Sequence, residues 1–111
     1  MSLAATPDIS LVVPCHNEVE NVRPFYERVF EVFYDRKDIA LEIVFVDDGS
    51  TDATFRELSQ VVDDHKASPR CDSSDVQVLS FSRNFGKEAA LFAGMKKARG
   101  KTLCFIDSDL Q

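Results

Sequence analysis

Along this chain, short runs of β-branched and apolar residues give way repeatedly to apolar stripes spaced three and four residues apart. That alternation restricts the fold more than any other feature, because each period suits only one kind of element. Ile9-Ser10-Leu11-Val12-Val13 reads as a buried strand ended by Pro14. From Asn17 to Tyr34 the period changes, and Val22, Phe25, Val29 and Phe33 form one helical stripe. Leu41 to Val46 is a second apolar run, stopped by Asp47-Asp48-Gly49-Ser50. A helix over Asp52 to Asp64 presents Phe55, Leu58 and Val62 on one face. Val76 to Phe81 is a third strand. A helix over Gly86 to Ala98 turns Leu91, Met95 and Ala98 inward, with Gly100 beyond its end. Thr102 to Ile106 is the last strand, ending at Asp107.

Strand and helix in strict alternation predict an α/β fold with a parallel sheet and right-handed crossovers, Rossmann-like in its βαβαβαβ order. In such sheets ligands bind beyond the carboxyl ends of the strands. Those ends carry Pro14-Cys15-His16-Asn17-Glu18, Asp47-Asp48-Gly49-Ser50, Ser82-Arg83-Asn84-Phe85-Gly86-Lys87 and Asp107-Ser108-Asp109. The opposite connections, Asp35 to Ala40, Lys66 to Asp75 and Arg99 to Lys101, are blander, and Lys66 to Asp75 reads as an unanchored loop.

Composition narrows the function. The 111 residues make one modest domain, and 13 basic against 19 acidic residues leave a net charge of -6. That excludes a general nucleic-acid binder, which needs a basic face. It does not exclude a nucleotide, because a metal ion can bridge carboxylates to phosphates. No apolar run reaches the roughly 20 residues that span a bilayer, and no basic start with an apolar core marks a signal peptide. The 3 cysteines, Cys15, Cys71 and Cys104, are too widely spaced for a disulfide framework or a zinc site. Cys15 and Cys104 read as small packing residues at strand ends.

The ligand-edge loops carry the chemistry. Asp107 and Asp109, two residues apart just past a strand, can converge on one Mg²⁺ or Mn²⁺ and clamp a diphosphate leaving group. A solvated acidic turn is the bland alternative. Asp47 and Asp48 suit a base N–H or ribose hydroxyls, with Gly49 permitting close backbone approach to a ligand. One of Ser50, Thr51 and Asp52 is expected to cap the following helix. Asn17 is a candidate cap for the first helix, with Glu18 and Glu20 favoured by its dipole. His16 reads as solvated or locally hydrogen-bonded, since nothing pairs it with a nucleophile. Arg83 and Lys87 put cations near a helix N-terminus, itself an anion site, or else are ordinary surface charge.

Taken in order, the Val12 to Glu18, Val46 to Asp52 and Asp107 to Gln111 segments resemble family 2 glycosyltransferases of the GT-A fold. The Arg83-Asn84-Phe85-Gly86-Lys87-Glu88-Ala89-Ala90 stretch resembles the polyprenyl-phosphate branch, the dolichyl-phosphate mannose synthases and bactoprenol glucosyltransferases. The resemblance implies an inverting transfer from a UDP- or GDP-sugar to a polyprenyl phosphate, with Mg²⁺ or Mn²⁺. It places Pro14, Asn17, Glu18 and Asp47 around the base and ribose, with Asp48 and Gly49 alongside. Asn84, Gly86 and Lys87 fall by the ribose or diphosphate. Asp107 and Asp109 hold the metal and diphosphate as the catalytic pair, and Gln111 is a further metal ligand. The whole chain would then be the N-terminal, nucleotide-sugar-binding part of a catalytic domain. The acceptor half and membrane-associating segments would lie beyond it, the full-length protein would work at the cytoplasmic side of the membrane, and this chain alone would be soluble and bind donor weakly without turnover. Two alternatives stand beside this: a nucleotide-binding module without catalysis, and a haloacid-dehalogenase-like phosphatase using Asp107 and Asp109. The phosphatase pattern sits badly, because its motif usually follows the first strand and has threonine where Gln111 stands.

Overall fold

The computed structural model describes residues 6–36, 38–68 and 74–108. Seven elements alternate as expected: β1 (Ile9–Cys15), α1 (Val19–Val32), β2 (Leu41–Asp47), α2 (Thr54–Ala67), β3 (Ser74–Ser80), α3 (Lys87–Lys97) and β4 (Thr102–Phe105). The strands form one parallel sheet in the order β3-β2-β1-β4. The chain therefore winds outward from β1 to β3, then crosses back to lay β4 on the other side of β1. That reversal is the topological switch point at which α/β sheets open a crevice.

The middle strands are buried on both faces, which is why they read as unbroken apolar runs. Leu11, Val13, Ile43, Phe45 and Val76 belong to a core shared with α1 and α2. Phe25 from α1 meets Phe45 edge to face at 6.0 Å. Full burial of side chains this size contributes about 1.5–3 kcal/mol each. Arg23 fastens α1 to α2 through Glu57 at 3.2 Å and Asp64 at 3.0 Å. On the other face Val44 and Val46 pack with Ala90 of α3.

Several boundaries and faces differ from the sequence expectation. Pro14 does not end β1; it stands in register opposite Val46, and the strand runs on to Cys15. The first helix begins at Val19 rather than Asn17, and the second runs from Thr54 to Ala67. β3 starts at Ser74, so only residues 69–73 of the expected Lys66–Asp75 loop, Cys71 among them, lie outside the described residues. The buried stripe of α2 is Thr54, Leu58, Val61, Val62 and His65, while Phe55 is exposed. His65 is satisfied inside, with Nδ1 2.7 Å from the Tyr26 hydroxyl and Nε2 2.9 Å from Ser74 Oγ.

α3 departs furthest. It buries Ala90 and Gly94, not Leu91 and Met95, and turns Phe92 and Met95 to solvent. A methyl group on Gly94 would sit 2.3 Å from Val12 Cγ1, so the helix lies too close to the sheet for a large residue. Gly100 lies beyond the end of α3 but is not a left-handed cap: the helix ends at Lys97, and Ala98 after it is extended. Gly100 donates its N–H to Ser10 Oγ at 2.8 Å, and an added methyl would stand 2.5 Å from that oxygen.

Candidate functional site

Register alone brings the ligand-edge loops together. Cys15 pairs with Asp47, and Asp47 with Ser80, so β1, β2 and β3 end level. The ladder continues past the strands through Asp48 N–H to Cys15 O and Phe81 N–H to Asp47 O. Between the ends of β1 and β4 opens a cleft of about 210 Å³, lined by Pro14, Cys15, His16, Glu18, Asp48, Lys87 and Asp107.

The loops are stitched to one another by their own polar groups. Asn17 takes a left-handed conformation, φ 52°. Asparagine is among the few non-glycine residues that accept it. Its N–H donates to Ser50 Oγ at 2.9 Å, and its Oδ1 accepts from Thr51 N–H at 2.8 Å. Glu18 N–H donates to Thr54 Oγ1 at 2.9 Å. Asn17 therefore does not cap α1, whose boundary residue Glu18 makes no side-chain cap bond. It ties the β1 loop to the β2 loop instead. The expected cap of α2 is Asp52, whose carboxylate accepts from Thr54 N–H at 2.8 Å, one position ahead of the boundary residue Ala53.

Asp47 and Asp48 are both nearly inaccessible, 2% and 4% exposed. Asp47 Oδ1 accepts from Ser50 N–H at 3.3 Å, closing its own turn. Asp48 accepts from Phe85 N–H at 2.8 Å through Oδ1 and from Gly86 N–H at 3.1 Å through Oδ2. Its carboxylate thus anchors the loop ahead of α3. Gly49, with φ +67°, makes the close approach expected of it, but toward the chain and not toward a ligand. A methyl there would stand 2.1 Å from the Arg83 carbonyl carbon.

On the cleft rim Lys87 Nζ lies 2.7 Å from Asp107 Oδ1. This joins the N-terminus of α3, where the helix dipole favours anions, to the end of β4. Ser108 Oγ donates to a Glu18 carboxylate oxygen, linking β4's end to the β1 loop. Arg83 does not enter the cleft; it lies over the Phe85 ring, 4.8 Å from its centroid. Burial, with the Glu18 and Asp47 carboxylates, pushes the Cys15 thiol up to about 12, so it stays protonated and serves as packing.

Of the expected site residues, Pro14, Glu18, Asp48, Lys87 and Asp107 form cleft walls. Asn17, Asp47, Gly49, Asn84 and Gly86 build the loops behind them. Asp109 and Gln111 lie outside the described residues. Among the described residues no three metal-capable side chains converge. Asp107 is the one expected metal ligand that can be tested for fit; its oxygen faces the cleft and suits a hard cation such as Mg²⁺ or Mn²⁺. The sequence pairs His16 with no nucleophile and so points to a solvated or locally bonded ring, yet the residue lines the cleft. Its partners lie 32 and 68 positions away, so no local signal reveals them.

A parallel sheet with a crevice at its switch point, rimmed by a carboxylate and a lysine at a helix start, defines a Rossmann-like α/β protein of GT-A type. The structure superposes on the mannosyltransferase PcManGT of Pyrobaculum calidifontis, solved with GDP-Man and Mn²⁺, with a TM-score of 0.76. That match covers 96% of this chain and 28% of the other at 24% identity. S. aureus TarS 1-349 in complex with UDP matches with a TM-score of 0.68 over 92% of this chain and 27% of that one, again at 24% identity. Likeness at that identity establishes the fold alone.

The chain belongs to glycosyl transferase family 2, whose model matches residues 10–111. It is 47% identical over 104 residues to the prophage bactoprenol glucosyl transferase homolog of Escherichia coli K12, covering 93% of this chain. The chain spans 31% of that relative's length. Family membership removes the phosphatase alternative. Among the described residues no helix is long and apolar enough to cross a membrane.

Proposed function

We propose that this chain is the donor-binding part of an inverting glycosyltransferase that moves a sugar from a UDP- or GDP-sugar to a polyprenyl phosphate at the cytoplasmic face of a membrane. The observation that carries the reading is the Lys87–Asp107 pair on the cleft rim, 2.7 Å apart. A cation at a helix start and a carboxylate at a strand end are the two groups a metal-bound diphosphate needs. Relatives named bactoprenol glucosyl transferase support the acceptor class.

In the reaction, an oxygen of the acceptor phosphate attacks the anomeric carbon while the bond to the nucleoside diphosphate breaks on the opposite side. The acceptor is already an anion, so no strong general base is required. Lys87 and the first N–H groups of α3 face the departing diphosphate and stabilise the charge it gains. Asp107, with Asp109 and Gln111, would hold Mg²⁺ or Mn²⁺, which when bound neutralises that same charge. Pro14, Asn17, Glu18 and Asp47 shape the base and ribose side, with Gly49 allowing the loops to close. Asp48 and Asn84 act one step back, holding Gly86 and with it the start of α3.

The test is calorimetric titration of the chain with UDP and with GDP, each with and without Mn²⁺. Manganese-dependent binding of one nucleotide is expected and names the donor class. Absence of binding to both, by protein with native circular dichroism, would sink the reading.

A further inference from the structure

We infer that His16 is a positioning residue whose neutral imidazole braces both groups that grip the Gly86 N–H, and so fixes the start of α3 for the donor diphosphate. The inference rests on the donor-site reading above for its consequence, but not for its geometry.

The Gly86 N–H has two acceptors, Asp48 Oδ2 at 3.1 Å and Asn84 Oδ1 at 2.9 Å. Both owners of those oxygens are held at their other end by one ring. His16 Nδ1 lies 2.8 Å from the Asp48 carbonyl oxygen, and His16 Nε2 lies 3.1 Å from Asn84 Nδ2. A carbonyl oxygen can only accept, so Nδ1 carries the hydrogen and donates it. Nε2 is then a bare lone pair, and it accepts from the Asn84 amide. The Asn17 amide also faces Nε2, at 3.5 Å, which again places a donor against that nitrogen. Reversing the Asn84 amide would put its oxygen against the Nε2 lone pair and lose the bond to Gly86.

Gly86 merits such bracing. Its φ of +102° is a conformation that only glycine enters easily, and nothing stands within 4 Å of where a side chain would be. On that open side nothing packs against the residue, and its N–H is held by hydrogen bonds. The next residue is Lys87, which reaches Asp107 across the rim. The ionisable groups that share the cleft with the ring are Glu18, Asp48, Lys87, Asp107 and the Cys15 thiol.

Two substitutions separate bracing from simple contact with a ligand. His16→Gln can still donate to the Asp48 carbonyl and accept from Asn84. His16→Phe keeps a flat ring in the cleft and loses both bonds. In the chain without nucleotide, hydrogen exchange at the Phe85 and Gly86 amides should rise at least fivefold in His16→Phe and stay near wild type in His16→Gln. Exchange at Val12 and Val44 in the core should not change in either. In an Asn84→Ala background, His16→Phe should add less than it adds alone, because one of the two braces is already gone. UDP or GDP, whichever the wild type binds with Mn²⁺, should bind His16→Phe about tenfold more weakly, the loss of roughly one to two net hydrogen bonds.

Unchanged exchange at Gly86 in His16→Phe overturns the inference, whatever happens to affinity. So does loss of protection at Val12 and Val44, which makes the residue a support of the fold at large. Full affinity in His16→Phe also overturns it, because a stacking role needs only the ring. If wild type binds neither nucleotide, the donor-site reading fails, while the exchange measurements still decide the brace.

Discussion

Strand β2 carries an acid at each end of its course, and the two ends of the sheet treat them differently. Glu42 lies near the start of the strand and is 0% exposed. It accepts from Ser10 Oγ at 2.6 Å, Gln77 Nε2 at 3.0 Å, Arg99 N–H at 2.9 Å and Arg99 Nε at 3.0 Å. Arg99 goes on to Asp75 at 3.1 Å. Every partner is supplied by the chain itself, and the acid is spent on closing the structure. At the other end, Asp47 and Asp48 are also buried, but Asp48 holds the loop that leads into Lys87, which stays exposed on the cleft rim beside Asp107. Burial of a carboxylate therefore does not mark the site in this fold. What marks it is a buried carboxylate whose work is to position an accessible charge.

The comparison can be broken at its closed end first. Glu42→Ala should cost about 3 kcal/mol or more of unfolding free energy, read from urea melts, because it leaves several buried donors unpaired. Nucleotide affinity of the folded fraction should hardly move. Gly49→Ala comes next, at about 2–4 kcal/mol, since the methyl meets the Arg83 backbone and the residue must keep a left-handed φ. Unlike Glu42→Ala, it should also weaken nucleotide binding in calorimetry.

Acid sharpens the contrast. Burial alone would raise the pKa of Glu42, but the Arg99 N–H, the Ser10 hydroxyl and the Arg99 guanidinium outweigh it and hold the carboxyl below its ordinary value. A lowered folded-state pKa means stability that is fully present above the unfolded value, about 4.3, and lost as pH falls through the folded one. Wild type should lose more stability than Glu42→Gln between pH 5 and 3 in parallel urea melts. Equal slopes would mean that Glu42 titrates alike in both states. The smallest change in stability belongs to Asp107→Asn, under about 1 kcal/mol, because its pair with Lys87 is partly exposed. That variant should nonetheless lose the manganese dependence of nucleotide binding by at least about tenfold, or 1.4 kcal/mol.

The architecture was legible in the sequence because periodicity is a local property: residues two or four apart report the face they occupy. The errors fell where geometry depends on distant residues. Leu91 and Met95 look like the inner stripe of α3 until Val12 is seen to leave room only for Gly94. Gly49 suggests close approach to a ligand, but what it approaches is the backbone of Arg83, which lies 34 positions on and which no pattern names. Asp48 and Asn17 stand at the carboxyl edge of the sheet as the strand pattern implies, and only the three-dimensional structure reveals that their polar atoms face other loops. His16 was set aside for lack of a local partner, and its partners are remote. Residues whose function is to join loops are the hardest to recognise in a linear string.

The inverted packing of α3 has a consequence for how this helix tolerates change. Ordinarily the bulky apolar positions of a helix are the constrained ones and the small positions are permissive. Here a complete set of single replacements should give the reverse: Ala90 and Gly94 rejecting almost every substitution, and Phe92 and Met95 accepting even charged ones in the folded chain. Sequence drift along this helix then extends to its most conspicuous hydrophobic residues, while the least conspicuous ones set its distance from the sheet.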